Sequence, residues 1–353
     1  MKTDPIYYDY AATTPVDERV LDAMMPYFSE VFGNASSNHS YGKKAKLAIE
    51  HARVQVADLI NADKEEIYFT SGATEAINWA IKGYVEENIE KGNHIITVKT
   101  EHKVVLNTCE YLERKGYEVT YLDVDSNGLI NLDELISSIK PNTILISVMY
   151  VNNEIGIIQD IKSISDIATK HGIVFFCDAT QAVGKIPVDL LEDNIDMLCL
   201  SGHKFSGPKG IGALYIKKGI QITPLIHGGG QEKGLRGGTY NTPLIVGLGE
   251  AAKIAKTELL DNHKSLIEKT NEIENYFINN NFGFVNFKNQ NKAPHIISIS
   301  LLNKKAEDFL IEKNNELVAS TGSACNSGII EESHVLRSIF KTKKSNFIRI
   351  SII

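Results

Sequence analysis

Residues 173–204 read IVFFCDATQAVGKIPVDLLEDNIDMLCLSGHK, and this stretch decides the fold. It contains two short apolar runs, Ile173–Asp178 and Met197–Ser201, separated by a longer segment rich in polar and turn-forming residues. Apolar runs of this length are typical of buried strands. Each run leads into polar residues, Asp178 in the first case and Ser201 to Lys204 in the second. In parallel sheets, ligands bind outside the carboxyl ends of the strands, so we expect chemistry at these two positions.

The same alternation of strand and helix patterns extends outward, from about residue 67 to residue 216. The predicted strands are Ile67–Thr70, His94–Val98, Glu118–Leu122, Thr143–Tyr150, Ile173–Asp178, Met197–Ser201 and Ala213–Ile216. Helix-length segments such as Glu75–Glu90 and Ser163–His171 lie between several of them. Strands that alternate with helices predict the α/β class, with a mostly parallel central sheet covered on both faces.

Three further segments extend this architecture. Tyr41–Ile60 has helical spacing, Pro243–Phe277 predicts a long helix, and His295–Leu301 predicts a strand. We therefore predict a large α/β domain over residues 15–255. A small α+β domain would combine residues 1–14 with the C-terminal residues 256–353.

Composition excludes several classes of protein. The chain has 353 residues, and its 37 Lys+Arg against 44 Asp+Glu give a net charge of −7. This mild acidity argues against direct nucleic-acid binding, which favours a basic surface. No apolar run approaches the ~18 residues of a transmembrane helix, and the N-terminus lacks a signal-peptide pattern. We expect a cytoplasmic protein without a membrane partner. No group of His, Cys, Asp or Glu has metal-ligand spacing, so no metal site is predicted.

One of the four cysteines differs from the others. Cys109, Cys177 and Cys199 lie in helical or apolar segments, where a thiol usually packs as a small hydrophobic group. Cys325 lies in TGSACNS (321–327), a small and polar segment that offers a thiol nothing apolar to pack against. Cys325 is therefore the candidate reactive thiol.

Three features of the predicted sheet fit one chemistry. The segment FTSGATE (69–75) leaves a strand through small residues and opens a helix, where free N–H groups bind anions. Asp178 ends a buried strand and could hold a proton on a heterocyclic nitrogen. Lys204 follows the next strand, where burial could free its amine to form a Schiff base, although most lysines are solvated surface groups. Phosphate cradle, carboxylate and lysine are what pyridoxal 5'-phosphate (PLP) requires.

At this point the sequence resembles a known family, the cysteine desulfurases of the NifS/IscS group. They are class V aminotransferase-like, fold-type I PLP enzymes. The motifs that carry the resemblance run almost from end to end: YDYAATTP (8–15), GNASSNH (33–39), FTSGATEA (69–76), TEHK (100–103), VNNEIG (151–156), DATQ (178–181), SGHKFSGPKGIGALY (201–215), HGGG (227–230), RGGT (236–239) and TGSACNS (321–327).

The resemblance implies how PLP would be bound. Lys204 would form the Schiff base, Asp178 would pair with the pyridinium nitrogen, and His102 would stack on the ring and help move protons. The residues implied to hold the phosphate are Ala73, Thr74, Ser201 and His203. Thr239 would do so from the neighbouring subunit, which makes the active unit a homodimer.

The resemblance also implies the substrate contacts and the reaction. Asn153 and Gln181 would contact the ring substituents and the substrate, and Arg349 would bind the carboxylate of L-cysteine. The enzyme would convert L-cysteine to L-alanine and leave a persulfide on Cys325. An acceptor protein would then take the sulfur for iron–sulfur assembly, tRNA thiolation or phosphorothioation of DNA.

Two other functions are compatible with this fold. A selenocysteine lyase-like enzyme is one, and the segment around Cys325 disfavours it, because that segment suits transfer to an enzyme thiol. An inactive scaffold or sulfur-carrier-binding protein is the other, and the presence of Lys204, Asp178 and His102 argues against it. The chain ends at Ile353, earlier than is usual for this family, whose further C-terminal helices commonly help to dock scaffold or acceptor proteins.

Overall fold

The structure is a computed structural model that describes residues 4–321, 333–341 and 346–353. Within these residues, the helices are α1 Glu18–Met24, α2 Pro26–Ser29, α3 Ser40–Leu59, α4 Ala73–Asn78, α5 Tyr84–Glu87, α6 Lys103–Glu113, α7 Leu132–Ser138, α8 Ile161–Lys170, α9 Leu190–Asp193, α10 Thr242–Asn279, α11 Ala306–Glu312 and α12 His334–Phe340. The strands are β1 Ile6–Tyr7, β2 Ile67–Thr70, β3 His94–Val98, β4 Glu118–Leu122, β5 Thr143–Ser147, β6 Val174–Asp178, β7 Met197–Ser201, β8 Gly212–Ile216, β9 Gly283–Val285, β10 Ile296–Leu301, β11 Leu317–Val318 and β12 Phe347–Ser351.

A seven-stranded sheet forms the centre of the molecule, in the order β2-β8-β7-β6-β5-β3-β4. Strands β3 to β7 pair in parallel, and β8 runs antiparallel to both of its neighbours. Separate clusters of buried apolar side chains include Phe175 in one and Phe176 in the other. Since successive side chains of a strand point to opposite faces, both faces of the sheet are covered. The predicted α/β class with a mostly parallel sheet, the fold-type I architecture, is confirmed.

The predicted elements are found with small shifts at their ends. All seven predicted strands are present, although β5 ends at Ser147 instead of Tyr150. The predicted helix over Glu75–Glu90 is instead α4 and α5 joined by a π-helical stretch, Trp79–Gly83. This wider turn contains Trp79, which is fully buried. Single π-turns inside helices are uncommon, and apolar periodicity does not reveal them.

The C-terminal part builds a second, smaller core. An antiparallel sheet in the order β12-β10-β9 packs with the later part of α10 and with α11. A short parallel pair joins β1 to β11 and so ties the N-terminal residues to this region. Helix α10 runs without a break through residue 255, so the division of the chain into domains at that position stays a prediction.

In the described part of the chain, none of the helices combines the length and the apolar character needed to span a membrane.

Candidate active site

A cleft of about 550 Å³ opens at the carboxyl ends of the central strands, a size common for small-molecule sites. It gathers nearly all of the described residues that the sequence identified. The predicted residues that line it are Ala73, Thr74, His102, Asn153, Asp178, Gln181, Ser201, His203, Lys204 and Arg349. Thr239 does not line this cleft, and Cys325 lies outside the described residues. Ten positions spread over 277 residues of sequence thus meet at one place.

Lys204 lies in a tight turn, Gly202–Lys204, directly after β7. Its Nζ donates to the carbonyl oxygens of Ala11 at 2.7 Å and Ala12 at 2.9 Å. These two carbonyls belong to the N-terminal segment, in which the N–H of Thr14 donates to the carbonyl oxygen of His203, just after β7, at 3.0 Å. The amine is therefore held at the cleft by backbone oxygens that the sequence did not identify as part of the site.

Asp178 is the last residue of β6 and is buried. Its Oδ1 accepts a hydrogen bond from the backbone N–H of Thr180 at 3.0 Å and another from Cys199 Sγ at 3.4 Å. Burial raises the pKa of the Cys199 thiol well above its usual range, with a further contribution from Asp178. Cys199 therefore stays a neutral donor that orients the carboxylate. The sequence predicted only a packing role for this cysteine.

His102 begins α6, where its Nδ1 accepts from the backbone N–H of Val104 at 3.2 Å. This contact fixes the ring at the edge of the cleft. The preceding residue, Glu101, is completely buried, and its Oε1 accepts from the N–H of Met149 at 2.6 Å. Burial, followed by repulsion from Asp178, raises the pKa of Glu101 well above its usual range. The burial of Glu101 therefore favours its protonated form, which the sequence did not reveal.

The turn before α4 is suited to an anion. Gly72 has φ +147°, a conformation that side chains rarely adopt, and no side chain caps α4 within the described residues. The first N–H groups of α4, at Ala73 and Thr74, are therefore left to an anion. Ser201 Oγ lies on the same side, 3.7 Å from where a Cβ on Gly72 would be. These contacts fit the phosphate cradle that the sequence predicted.

His203 is held beside this turn as a neutral ring. Its Nδ1 lies 3.1 Å from Thr13 Oγ1. Burial lowers the pKa of His203 to about 4, and the cations of Lys204 and Lys209 contribute. An uncharged imidazole can donate one hydrogen bond to a phosphate but adds no charge.

Thr239 lines a smaller neighbouring cleft of about 240 Å³. This second cleft also contains Ser71, Gly210 and Arg236. Arg236 forms an ion pair with Glu75 of α4 at 2.8 Å, which fixes the segment of Thr239 against the same helix. The location is compatible with the prediction that Thr239 serves a neighbouring subunit, and it does not test that prediction.

Arg349 lies on β12 and is almost fully buried at the cleft. Its Nη2 forms an ion pair with Asp9 at 2.6 Å, and its Nη1 donates to the carbonyl oxygen of Asn153 at 2.9 Å. Its Nε has no hydrogen-bond partner, and each Nη carries a second N–H. The guanidinium can therefore bind a carboxylate while it keeps its ion pair with Asp9. The sequence assigned no role to Asp9.

Gln181 completes the cleft. Its Nε2 donates to the carbonyl oxygen of Ala11 at 2.9 Å, and its Oε1 accepts from Lys185 Nζ at 3.2 Å. Besides Glu101 and Cys199, sequence reasoning missed Asp9, Ala11, Ala12 and Thr13, which all belong to the motif YDYAATTP (8–15). That motif carried the resemblance, but its side chains gave no chemical signal that could have assigned a role.

Comparisons with known proteins agree with this geometry. Residues 6–353 match the family described as Aminotransferase class-V. A relative named cysteine desulfurase IscS, from Ehrlichia chaffeensis, is 49% identical over 340 residues, which cover 95% of this chain and 82% of the relative. A solved structure titled NifS-like protein is 38% identical, with a TM-score of 0.91, and the match covers 99% of this chain and 93% of that one. A structure titled SspA in complex with cysteine is 42% identical, with a TM-score of 0.89 and coverage of 98% of both chains.

The chain belongs to the class V aminotransferase family. Within that family, the extent of identity to IscS and NifS-like proteins assigns it to the cysteine desulfurases.

Proposed function

We propose that this protein is a PLP-dependent cysteine desulfurase that converts L-cysteine to L-alanine and transfers the sulfur to Cys325. The single observation that carries the proposal is the convergence of Lys204, Asp178, His102 and Arg349 on one cleft. The solved relative titled as a complex with cysteine supports the choice of substrate.

The residues present fit PLP. The uncapped start of α4 offers N–H groups to its phosphate, and Lys204 offers an amine to its aldehyde. Asp178, oriented by Thr180 and Cys199, offers a carboxylate to its ring nitrogen. When bound, PLP would supply an aldehyde that captures the substrate amine and a ring that takes up the electron pair left at Cα.

The chain's own groups orient the substrate and move its protons. Arg349 would bind the α-carboxylate through its unused N–H groups, since carboxylate and guanidinium pair well in buried sites. The Lys204 amine would remove the proton from Cα, and the two carbonyls that now accept from Nζ keep it near the cleft. His102, at the start of α6, would carry a proton at the cleft edge.

Cys325 would take the sulfur. Its thiolate would attack the substrate sulfur, so that a sulfur–sulfur bond forms while the bond from that sulfur to Cβ breaks. The electron pair of the broken bond would stay with the carbon, which is then protonated to give alanine. An acceptor protein would remove the sulfur in a later step.

The proposal includes a homodimer in which Thr239 completes the phosphate site of the partner. Exposed apolar side chains on and around α1 to α3 support a second copy: Met25, Phe28, Phe32 and Tyr41 are each more than half exposed. Clustered apolar exposure of this kind marks interaction sites more often than free surface.

The experiment that tests the function is alanine release from L-cysteine, with a reductant present and with equal PLP content in each variant. We expect release from the wild type and little from Cys325→Ala, while the buried Cys109→Ala serves as the matched control. Equal rates for wild type and Cys325→Ala would remove Cys325 from the reaction and favour a lyase. If the wild type with full PLP occupancy releases no alanine, the proposal that L-cysteine is the substrate is contradicted.

A further inference from the structure

A buried lysine lies directly behind the cleft. Lys185 is only 6% exposed, and its Nζ donates to Gln181 Oε1 at 3.2 Å. No carboxylate lies within ion-pair distance of Lys185 in the described parts of the chain. A buried ammonium without a counter-ion is strongly unfavourable, so the group is expected to be a neutral amine.

The other charged and titratable groups around Lys185 also favour the neutral form of its amine. Burial lowers the pKa of Lys185 well below its usual range, and the cations of Lys204 and Arg349 lower it further. His295, which precedes β10, is completely buried and has no partner for either ring nitrogen. Burial lowers the pKa of His295 well below its usual range, with smaller contributions from Lys185 and His263. Within the described residues, these surroundings offer Lys185 no carboxylate, and Gln181 Oε1 accepts a hydrogen bond from its amine.

Two contacts fix the same orientation of the Gln181 amide. Its Nε2 donates to the carbonyl oxygen of Ala11 while its Oε1 accepts from Lys185. A rotation of the amide by half a turn would place two carbonyl oxygens together at Ala11. It would also remove the acceptor from the buried amine of Lys185. The observed orientation uses one N–H of Nε2 and leaves the second N–H for a group in the cleft.

We propose that Lys185 is a positioning residue, which holds the Gln181 amide so that Gln181 presents an N–H to the bound PLP ring. This inference rests on the proposed function, since PLP is the group that Gln181 would contact. Lys185 does not line the cleft, and its effect therefore passes through Gln181.

The test is a double-mutant cycle between Lys185→Met and Gln181→Ala, read by the dissociation constant of PLP from the apoprotein. A second readout is the pH dependence of the visible absorbance of bound PLP. We expect Lys185→Met to weaken PLP binding roughly fivefold, the factor for one hydrogen bond of about 1 kcal/mol, and to shift the absorbance titration. In the Gln181→Ala background the same substitution should change neither quantity.

Lys292→Met is the matched control, because Lys292 is also a largely buried lysine, paired with Glu274 at 2.6 Å. It should lower the melting temperature and leave PLP binding unchanged. Lys185→Gln keeps an N–H donor and should recover part of the affinity. If Lys185→Met does not fold, the cycle is run with Lys185→Gln, whose remaining loss must also vanish beside Gln181→Ala.

Three outcomes would overturn the inference. Lys185→Met could bind PLP as the wild type does, or its loss could persist in the Gln181→Ala background, which would indicate a purely structural role. A wild-type protein that does not bind PLP would overturn the proposed function and this inference together. Wild-type binding with an unaffected Lys185→Met overturns the inference alone.

Discussion

At the scale of single residues, burial decides which groups in and around the cleft carry charge. The pKa of Glu101 is raised because this residue is completely buried near Asp178, whereas Asp178 itself accepts two hydrogen bonds that suit a carboxylate. The sequence identified Asp178 because it ends an apolar strand. It could not identify Glu101, because an acid beside a histidine in TEHK (100–103) gives no sign of its depth in the fold.

The identity of the Schiff-base lysine is the first prediction at this scale. Lys204 and Lys209 both line the cleft, but Lys204 directly follows β7 and is held at the carbonyls of Ala11 and Ala12. We expect borohydride reduction to fix PLP covalently to the wild type and to Lys209→Met, and not to Lys204→Met. The mass of the intact protein measures the adduct. An adduct on Lys204→Met, with none on Lys209→Met, would contradict the assignment.

The second residue-scale prediction concerns Glu154, whose Oε2 accepts from Ser333 Oγ at 2.5 Å. Burial raises the pKa of Glu154 from 4.5 to about 7. At pH values between these two pKa values, Glu154 is protonated in the folded chain and ionised in the unfolded chain. Rising pH therefore lowers the free energy of unfolding, by about 1.4 kcal/mol per pH unit from this group.

We expect Glu154→Gln to remove this slope, so that the variant gains stability relative to wild type as the pH rises from about 5 to about 7. Urea denaturation across that range measures the difference. Glu268→Gln, at an exposed position of α10, is the control and should follow the wild type. If the free energy of unfolding changes with pH in the same way for wild type and Glu154→Gln, the pKa of Glu154 is not raised.

At the scale of elements, the apolar pattern predicted where strands and long helices lie, because burial in the central sheet dictates it. Strands β6 and β7 end at the residues the pattern indicated, Asp178 and Ser201. The pattern could not predict how the loops close around the cleft. Those loops are fixed by single polar contacts, such as Arg349 with Asp9, between residues that are 340 positions apart.

A buried ion pair between elements gives the third prediction. Arg53 of α3 pairs with Glu232 at 2.8 Å, and the Glu232 carboxylate also accepts from the N–H of Phe69, just before the phosphate turn. Glu232→Gln would remove the buried partner and leave the Arg53 charge only the more exposed Glu50, at 3.4 Å, so we expect a loss of about 3 kcal/mol in the free energy of unfolding.

Urea denaturation measures this loss, and Glu258→Gln is the matched control. Glu258 pairs with Arg19 at the surface, where solvent screening leaves such a pair little effect on stability. Equal, small losses in the two variants would mean that the Arg53–Glu232 pair does not stabilise the fold.

At the scale of the whole molecule, the sequence predicted an active site to which two subunits contribute residues. The structure of one chain brings ten of the predicted residues to one cleft and leaves Thr239 in a separate cleft. A subunit interface would have no signature in a single sequence, and the exposure of apolar residues such as Phe28 and Phe32 is seen only in the structure. For that reason the dimer rests on the resemblance and needs its own test.

Coexpression of Lys204→Met with Thr239→Val provides that test. In a mixed dimer, one site would combine Lys204 from one subunit with Thr239 from the other. We expect each variant to be impaired alone and the mixture to recover up to about one quarter of the wild-type rate, the fraction of intact sites under random pairing. Alanine release measures the rate. If the mixture releases alanine no faster than the two variants assayed separately, Thr239 acts in the site of its own subunit.

The measurement that tests the central claim most directly is the mass of the tryptic peptide 314–337 after the protein has met L-cysteine. This peptide contains Cys325 and no other cysteine. The account predicts that it gains the mass of one sulfur atom in the wild type. Peptides that contain the buried Cys109, Cys177 or Cys199 should gain nothing, and neither should peptide 314–337 from Lys204→Met. Alanine released from L-cysteine with no added sulfur on Cys325, before any reductant is present, would contradict the account.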